Sequence, residues 1–146
     1  MDVTQIGYAA ALMLCITYTS LLGGRTGRAG SLIVVLASVL TGFASTLDPT
    51  WADTSYAIFA VDSSCLLALA TLAIRSRRFW PIWAAGFQTV AVATHIATML
   101  IPDFTPKAYH ALLSFWSIPI LWVMVAGTHK DWNYQKAAKQ RAIRLS

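Results

Sequence analysis

Few residues in this chain could do chemistry. It holds three histidines, two cysteines and six carboxylates, and all six carboxylates are aspartates. Only Asp62 falls inside a long apolar stretch, and an ionisable group at such a position is costly enough to be a functional lead. It lies seven residues after Ser55, where its stretch begins, about 10 Å along a helix. His95 lies six residues before Ile101, where the next stretch ends, about 9 Å along. Two residues at matched depth on antiparallel neighbours can meet. An imidazole donating to a carboxylate closes a structural bridge, holds a proton or orients a metal ligand.

Four uses of this pair stay open on sequence grounds: a buried tie between two helices, a proton or ion path, a metal or haem site, and covalent chemistry. Transport needs a continuous polar route, and the inner half of these stretches offers little beyond Gln88, Thr17 and Thr71. A metal site has Asp62, His95 and His110 as its candidates. A bound cofactor such as haem, a pigment or a quinone has His95, His110 and Trp116. Two axial imidazoles must face one another at matched depth, and those of His95 and His110 differ by most of two turns. His129 sits at the opposite border. The chain lacks glutamate and any CxxC, P-loop, HExxH or G-x-S-x-G pattern, so the sequence demands no cofactor and supports no enzyme. Cys15 and Cys65 read as buried thiols used as small apolar side chains. Gln5, Tyr8, Tyr109, His110 and Cys65 would complete a polar pocket around Asp62 and His95 in the outer half.

The elements that position these residues follow from composition. Of 146 residues, 57% are apolar and 12% charged, against about half and roughly a quarter in a soluble domain. A small globule cannot bury that excess, which points to a bilayer as its solvent. Five stretches are long enough to cross about 30 Å of hydrocarbon: Val3–Leu22, Gly30–Leu47, Ser55–Ile74, Ile82–Ile101 and Ala108–Gly127. Short linkers favour an antiparallel up-down bundle, so the fold class expected is an all-α integral membrane protein with five transmembrane helices. No stretch alternates with period two between turn residues, so a transmembrane barrel is not supported. The first stretch has Asp2 and no cation before it, so it reads as a retained span rather than a signal peptide. Pro119 should kink the fifth.

Charge sets the orientation. Arg25 and Arg28 follow the first stretch, Arg75, Arg77 and Arg78 the third, and Lys130, Lys136, Lys139, Arg141 and Arg144 the fifth. The other side holds Asp2, Asp48, Asp53 and Asp103 with Lys107. By the excess of cations in cytoplasmic loops, the N-terminus is outside and the C-terminus inside a bacterial-type inner membrane. The net charge of +5 is thereby a property of topology, and nucleic acid is excluded as a partner because no basic face gathers it. Aromatic residues mark the two borders, with Trp51, Tyr56, Phe104 and Tyr109 outside and Tyr18, Phe79, Trp80, Trp83, Trp132 and Tyr134 inside. Residues 1–128 form one transmembrane domain and 129–146 a basic cytoplasmic tail that faces anionic lipid or an acidic partner surface.

Membrane helices associate through small residues at four-residue spacing. The fourth stretch has such a row in Ala85, Thr89, Ala93 and Ala97, the second has Ser38, Gly42 and Thr46, and the first has Gly7 and Ala11. Gln88 and His95 lie on the other face of the fourth, well over 90° from the row by helical-wheel arithmetic. A helix with contacts required on two sides is either central in its bundle or exposed to a partner chain. The function expected is therefore a non-catalytic accessory or interaction subunit of a larger inner-membrane assembly, with respiratory and photosynthetic complexes as candidates. The competing reading is a small carrier, channel or cofactor-binding protein built on Asp62 and His95.

Overall fold

The computed structural model describes residues 3–47, 56–100 and 106–145, with side chains over 6–46, 56–100 and 116–144. These residues form five helices: α1 (Val3–Leu22), α2 (Gly24–Leu47), α3 (Tyr56–Arg75), α4 (Trp80–Leu100) and α5 (Pro106–Leu145). There is no strand among them. At 1.5 Å per residue the first four are roughly 30 to 36 Å long, whereas α5 reaches about 60 Å.

The α1–α2 reversal is tighter than its Gly-Gly-Arg sequence suggests. Gly24 alone adopts a left-handed φ of 59°, which costs a residue without a Cβ very little. The chain turns back within one residue, so α2 begins at Gly24 rather than at Gly30 and carries Arg25 and Arg28 on its first turns. Between α3 and α4, Ser76 N–H still donates to Leu72 O at 2.9 Å. Pro81 follows in the first turn of α4, where a missing N–H leaves no broken bond. α5 stays helical through Pro119 and continues without a break across residue 128 to Leu145. The basic tail is thus the exposed end of α5, not a separate segment.

α1 packs on α2, α2 on α3, α3 on α4 and α4 on α5, and α1 against α5 closes the ring. The core runs down its middle through Cys15, Val34, Cys65, Leu69, Ala84, Leu121 and Met124. At one end the indole of Trp80 enters the ring, 3% exposed. A Cβ placed on Gly30 of α2 or on Gly127 of α5 would collide with that indole. Trp80 is therefore a core wedge and not a border anchor, because two facing helices lack side chains where it enters.

The interior is thin, and much of the outward surface is apolar: Leu14, Leu21, Val39, Phe43, Leu67, Ile74, Leu100 and Trp122 are all more than 60% exposed. Two helices, Gly24–Thr46 and Tyr56–Arg75, are long and apolar enough to cross a membrane. Only 22% and 11% of their most apolar stretches are buried, unlike the core helix of a water-soluble protein.

Most members of the small-residue rows face outward in this bundle, Ser38 and Ala85 being half-buried. Thr89, Ala93 and Ala97 are exposed and Ala85 is half-buried, while Ala84, Gln88, Ala91 and His95 form the buried side of α4. α4 is thus not central, since its polar face claims the interior and turns the row outward. A Cβ on Gly7 or Gly42 would meet open space, and Ala11 and Thr46 are exposed. Close helix approach occurs instead at Gly23, Gly27, Gly30 and Gly127, where the Thr19 carbonyl or the Trp80 ring needs the room.

Candidate functional site

Asp62 sits two turns into α3, and His95 little more than a turn from the end of α4. Because the helices run in opposite directions, the two reach the same level, and His95 Nε2 lies 2.8 Å from Asp62 Oδ2. An ionised carboxylate can only accept, so the ring hydrogen sits on Nε2 and is donated to it. Gln88 is seven residues before His95, nearly eclipsed with it at 3.6 residues per turn. Its Nε2 donates to Asp62 Oδ1 at 3.1 Å and to the Asp62 carbonyl oxygen at 3.2 Å. Both partners are acceptors, which fixes the orientation of the amide.

The environment of this triad is largely closed. His95 is fully buried, and the Asp62 side chain keeps 20% exposure. Phe59, one turn before Asp62 on α3, sets its ring edge-on to the imidazole at 5.9 Å between centroids. Cys65, one turn after Asp62, is a buried free thiol. Both oxygens of the carboxylate are occupied by donors from α4, so the arrangement binds α3 to α4 at two levels through one side chain. The described residues contain no group of three or more metal-ligating side chains.

A second polar constellation lies where α1 and α5 meet. Asn133 Nδ2 donates to His129 Nε2 at 3.0 Å, which leaves the ring hydrogen on Nδ1 for donation to Tyr18 Oη at 2.7 Å. Trp132 tilts against the same imidazole, and Lys136 Nζ rests 3.3 Å above the Trp132 ring centre. Arg78, in the α3–α4 link, pairs with Asp131 of α5 at 3.1 Å. Sequence reasoning missed this cluster by treating Tyr18 and Trp132 as border anchors and His129 as isolated. The available signals were two pairs at four-residue spacing, His129 with Asn133 and Trp132 with Lys136, which share one helix face.

The remaining candidates disperse. The side chains of Gln5, Tyr109 and His110 lie outside the described residues. Tyr8 Oη is 3.3 Å from Ser38 Oγ, joining α1 to α2. Trp116 is half-buried and stacks on Phe87 of α4 at 6.3 Å, so its ring is used in helix packing. Cys15 Sγ approaches the Leu121 carbonyl oxygen at 3.5 Å and Cys65 belongs to α3, each as a free thiol. No family model, curated protein or solved structure matches the chain.

Proposed function

We propose that this chain is a five-span accessory subunit of a bacterial-type inner membrane, with its N-terminus outside and its C-terminus inside, that docks onto a larger membrane assembly through α4. The observation that carries the reading is the inversion of α4. Its polar side, Gln88 and His95, is consumed by Asp62 inside the bundle, and its small-residue row, Thr89, Ala93 and Ala97, faces outward. A row that permits close backbone approach and faces outward among the described residues is fitted to a helix from another chain.

The membrane placement has independent support. The lengths of α1 to α4 match the hydrocarbon thickness, and the outward surface is apolar. Arg25, Arg28, Arg75, Arg77, Arg78 and, on α5, Lys130, Lys136, Lys139, Arg141 and Arg144 gather at one end. The triad supports a holding role over a catalytic one, because each donor and each carboxylate oxygen in it has a partner within the bundle.

A second reading, a small carrier or cofactor-binding protein, draws on the residual exposure of Asp62. The two readings part on one substitution. Under the accessory role Asp62→Asn retains the assembly and its function, since the amide oxygen can accept from Gln88 and the amide NH2 can donate to His95 Nε2 once the ring hydrogen moves to Nδ1. Under ion or proton handling it retains the fold and abolishes function, since the charge is what is lost. The test of the accessory role is native mass measurement after mild-detergent extraction. A complex heavier than one 15.9 kDa chain that falls apart in Ala93→Leu supports it, and an intact complex in that variant opposes it.

A further inference from the structure

An open groove lies between α2 and α3, away from both polar clusters. It offers about 430 Å³ and is lined by Ile33, Leu67, Ala68, Thr71, Leu72 and Arg75. Its origin is legible in the chain. Residues 24–31 at the start of α2 are Gly, Arg, Thr, Ala and Ser, so no large apolar side chain there fills the space beside Leu72. The Thr71 hydroxyl is already donated to Leu67 O at 2.7 Å, which leaves the floor without an unmet polar group.

From Leu67 to Arg75 the groove follows about 12 Å of helix. A partner helix crossing the membrane needs a continuous face of about 30 Å, so this cleft is too short for one. It suits a slender aliphatic chain. At its end Arg75 is exposed and forms no ion pair among the described residues. The same end of the bundle carries Arg25, Arg28 and Arg77, while the nearby acid Asp131 is occupied by Arg78. An apolar slot closed by an unmatched cation is complementary to an amphiphile with an anionic head, and basic pockets between membrane helices on the cytoplasmic side bind such head groups.

We propose that the α2–α3 groove seats one acyl chain of an anionic phospholipid whose head group pairs with Arg75. This rests on the membrane placement of the chain but not on its docking role. The test uses the full chain purified in mild detergent and supplied with phosphatidylglycerol or phosphatidylcholine, with retained lipid counted by native mass spectrometry. The wild type retains one phosphatidylglycerol about 5-fold more readily than phosphatidylcholine, the ratio expected for one basic residue near the surface. Arg75→Gln removes that preference, Arg144→Gln on the far end of α5 leaves it intact, and Ala68→Trp lowers retention of both lipids. If Ala68→Trp fails to fold, Leu67→Trp makes the same obstruction from an exposed position. A preference that survives Arg75→Gln, or retention unaffected by filling the groove, overturns the proposal. Recovery of the chain in the aqueous fraction of alkaline-washed membranes defeats the membrane placement itself. An integral protein with no lipid preference defeats the lipid site alone.

Discussion

Replacing Asp62 by Ala removes the side chain that joins both buried polar residues of α4, Gln88 and His95, to α3. Two side-chain bonds disappear, at 2.8 Å to His95 and 3.1 Å to Gln88. Gln88 keeps the main-chain carbonyl of residue 62 at 3.2 Å, so most of the damage falls on His95, whose Nε2 is left buried without this acceptor. Hydrogen bonds to charged groups contribute about 1.5 to 3 kcal/mol, and polar contacts between membrane helices lie lower, at most about 1.7. A cost of about 2 kcal/mol is the expectation. Asp62→Asn should cost about 1 kcal/mol or less. Its oxygen accepts from Gln88, and its amide donates to His95 once the imidazole moves its hydrogen to Nδ1. Equilibrium unfolding in mixed micelles, followed by far-ultraviolet circular dichroism, measures both. A cycle with His95→Phe should give a coupling of about 1 to 1.5 kcal/mol. Additive single effects, or equal costs for Ala and Asn, would refute the clamp.

Four further outcomes follow from the same geometry. Gly127→Ala places a methyl group against Trp80 and should destabilise the fold by about 1 to 3 kcal/mol with a shift in tryptophan emission; Gly7→Ala, which meets open space, should not. Thr128 is fully buried with no partner for its hydroxyl among the described residues, so Thr128→Val should raise the unfolding midpoint. Ala93→Leu should leave the stability of the isolated chain within about 0.5 kcal/mol, as befits an exposed site, while weakening its assembly. Reporter fusions after Leu47 and after Ser146 should report opposite sides, the outer and the cytoplasmic respectively, because three spans separate them.

The existence of five helices was legible because each apolar stretch is long and most of their ends are marked by Gly, Pro, Asp or Arg. So was the meeting of Asp62 with His95, since depth along a helix is simple arithmetic. The part of Gln88 was half legible: its shared face with His95 follows from their spacing, but its reach to Asp62 depends on how α4 is rotated against α3. That rotation is also why the small-residue row faces outward. Two contacts compete for the inner side of α4, and within one chain the polar one wins, because an unpaired buried polar group costs more than a few missed packing contacts. The wedge of Trp80 between Gly30 and Gly127 was hidden for another reason. It needs residues from three helices, and no spacing within any one of them encodes it. The Tyr18–His129 contact likewise depends on ring closure by α1 and α5.

The docking claim is tested most directly by placing a photo-crosslinking amino acid at position 93 and, as controls on other exposed faces, at positions 36 and 67, then irradiating native membranes. Position 93 should yield one discrete adduct with another membrane protein, and the two controls should yield lipid adducts only. Lipid adducts alone from all three positions, or the same protein adduct from each, would contradict an interface on α4.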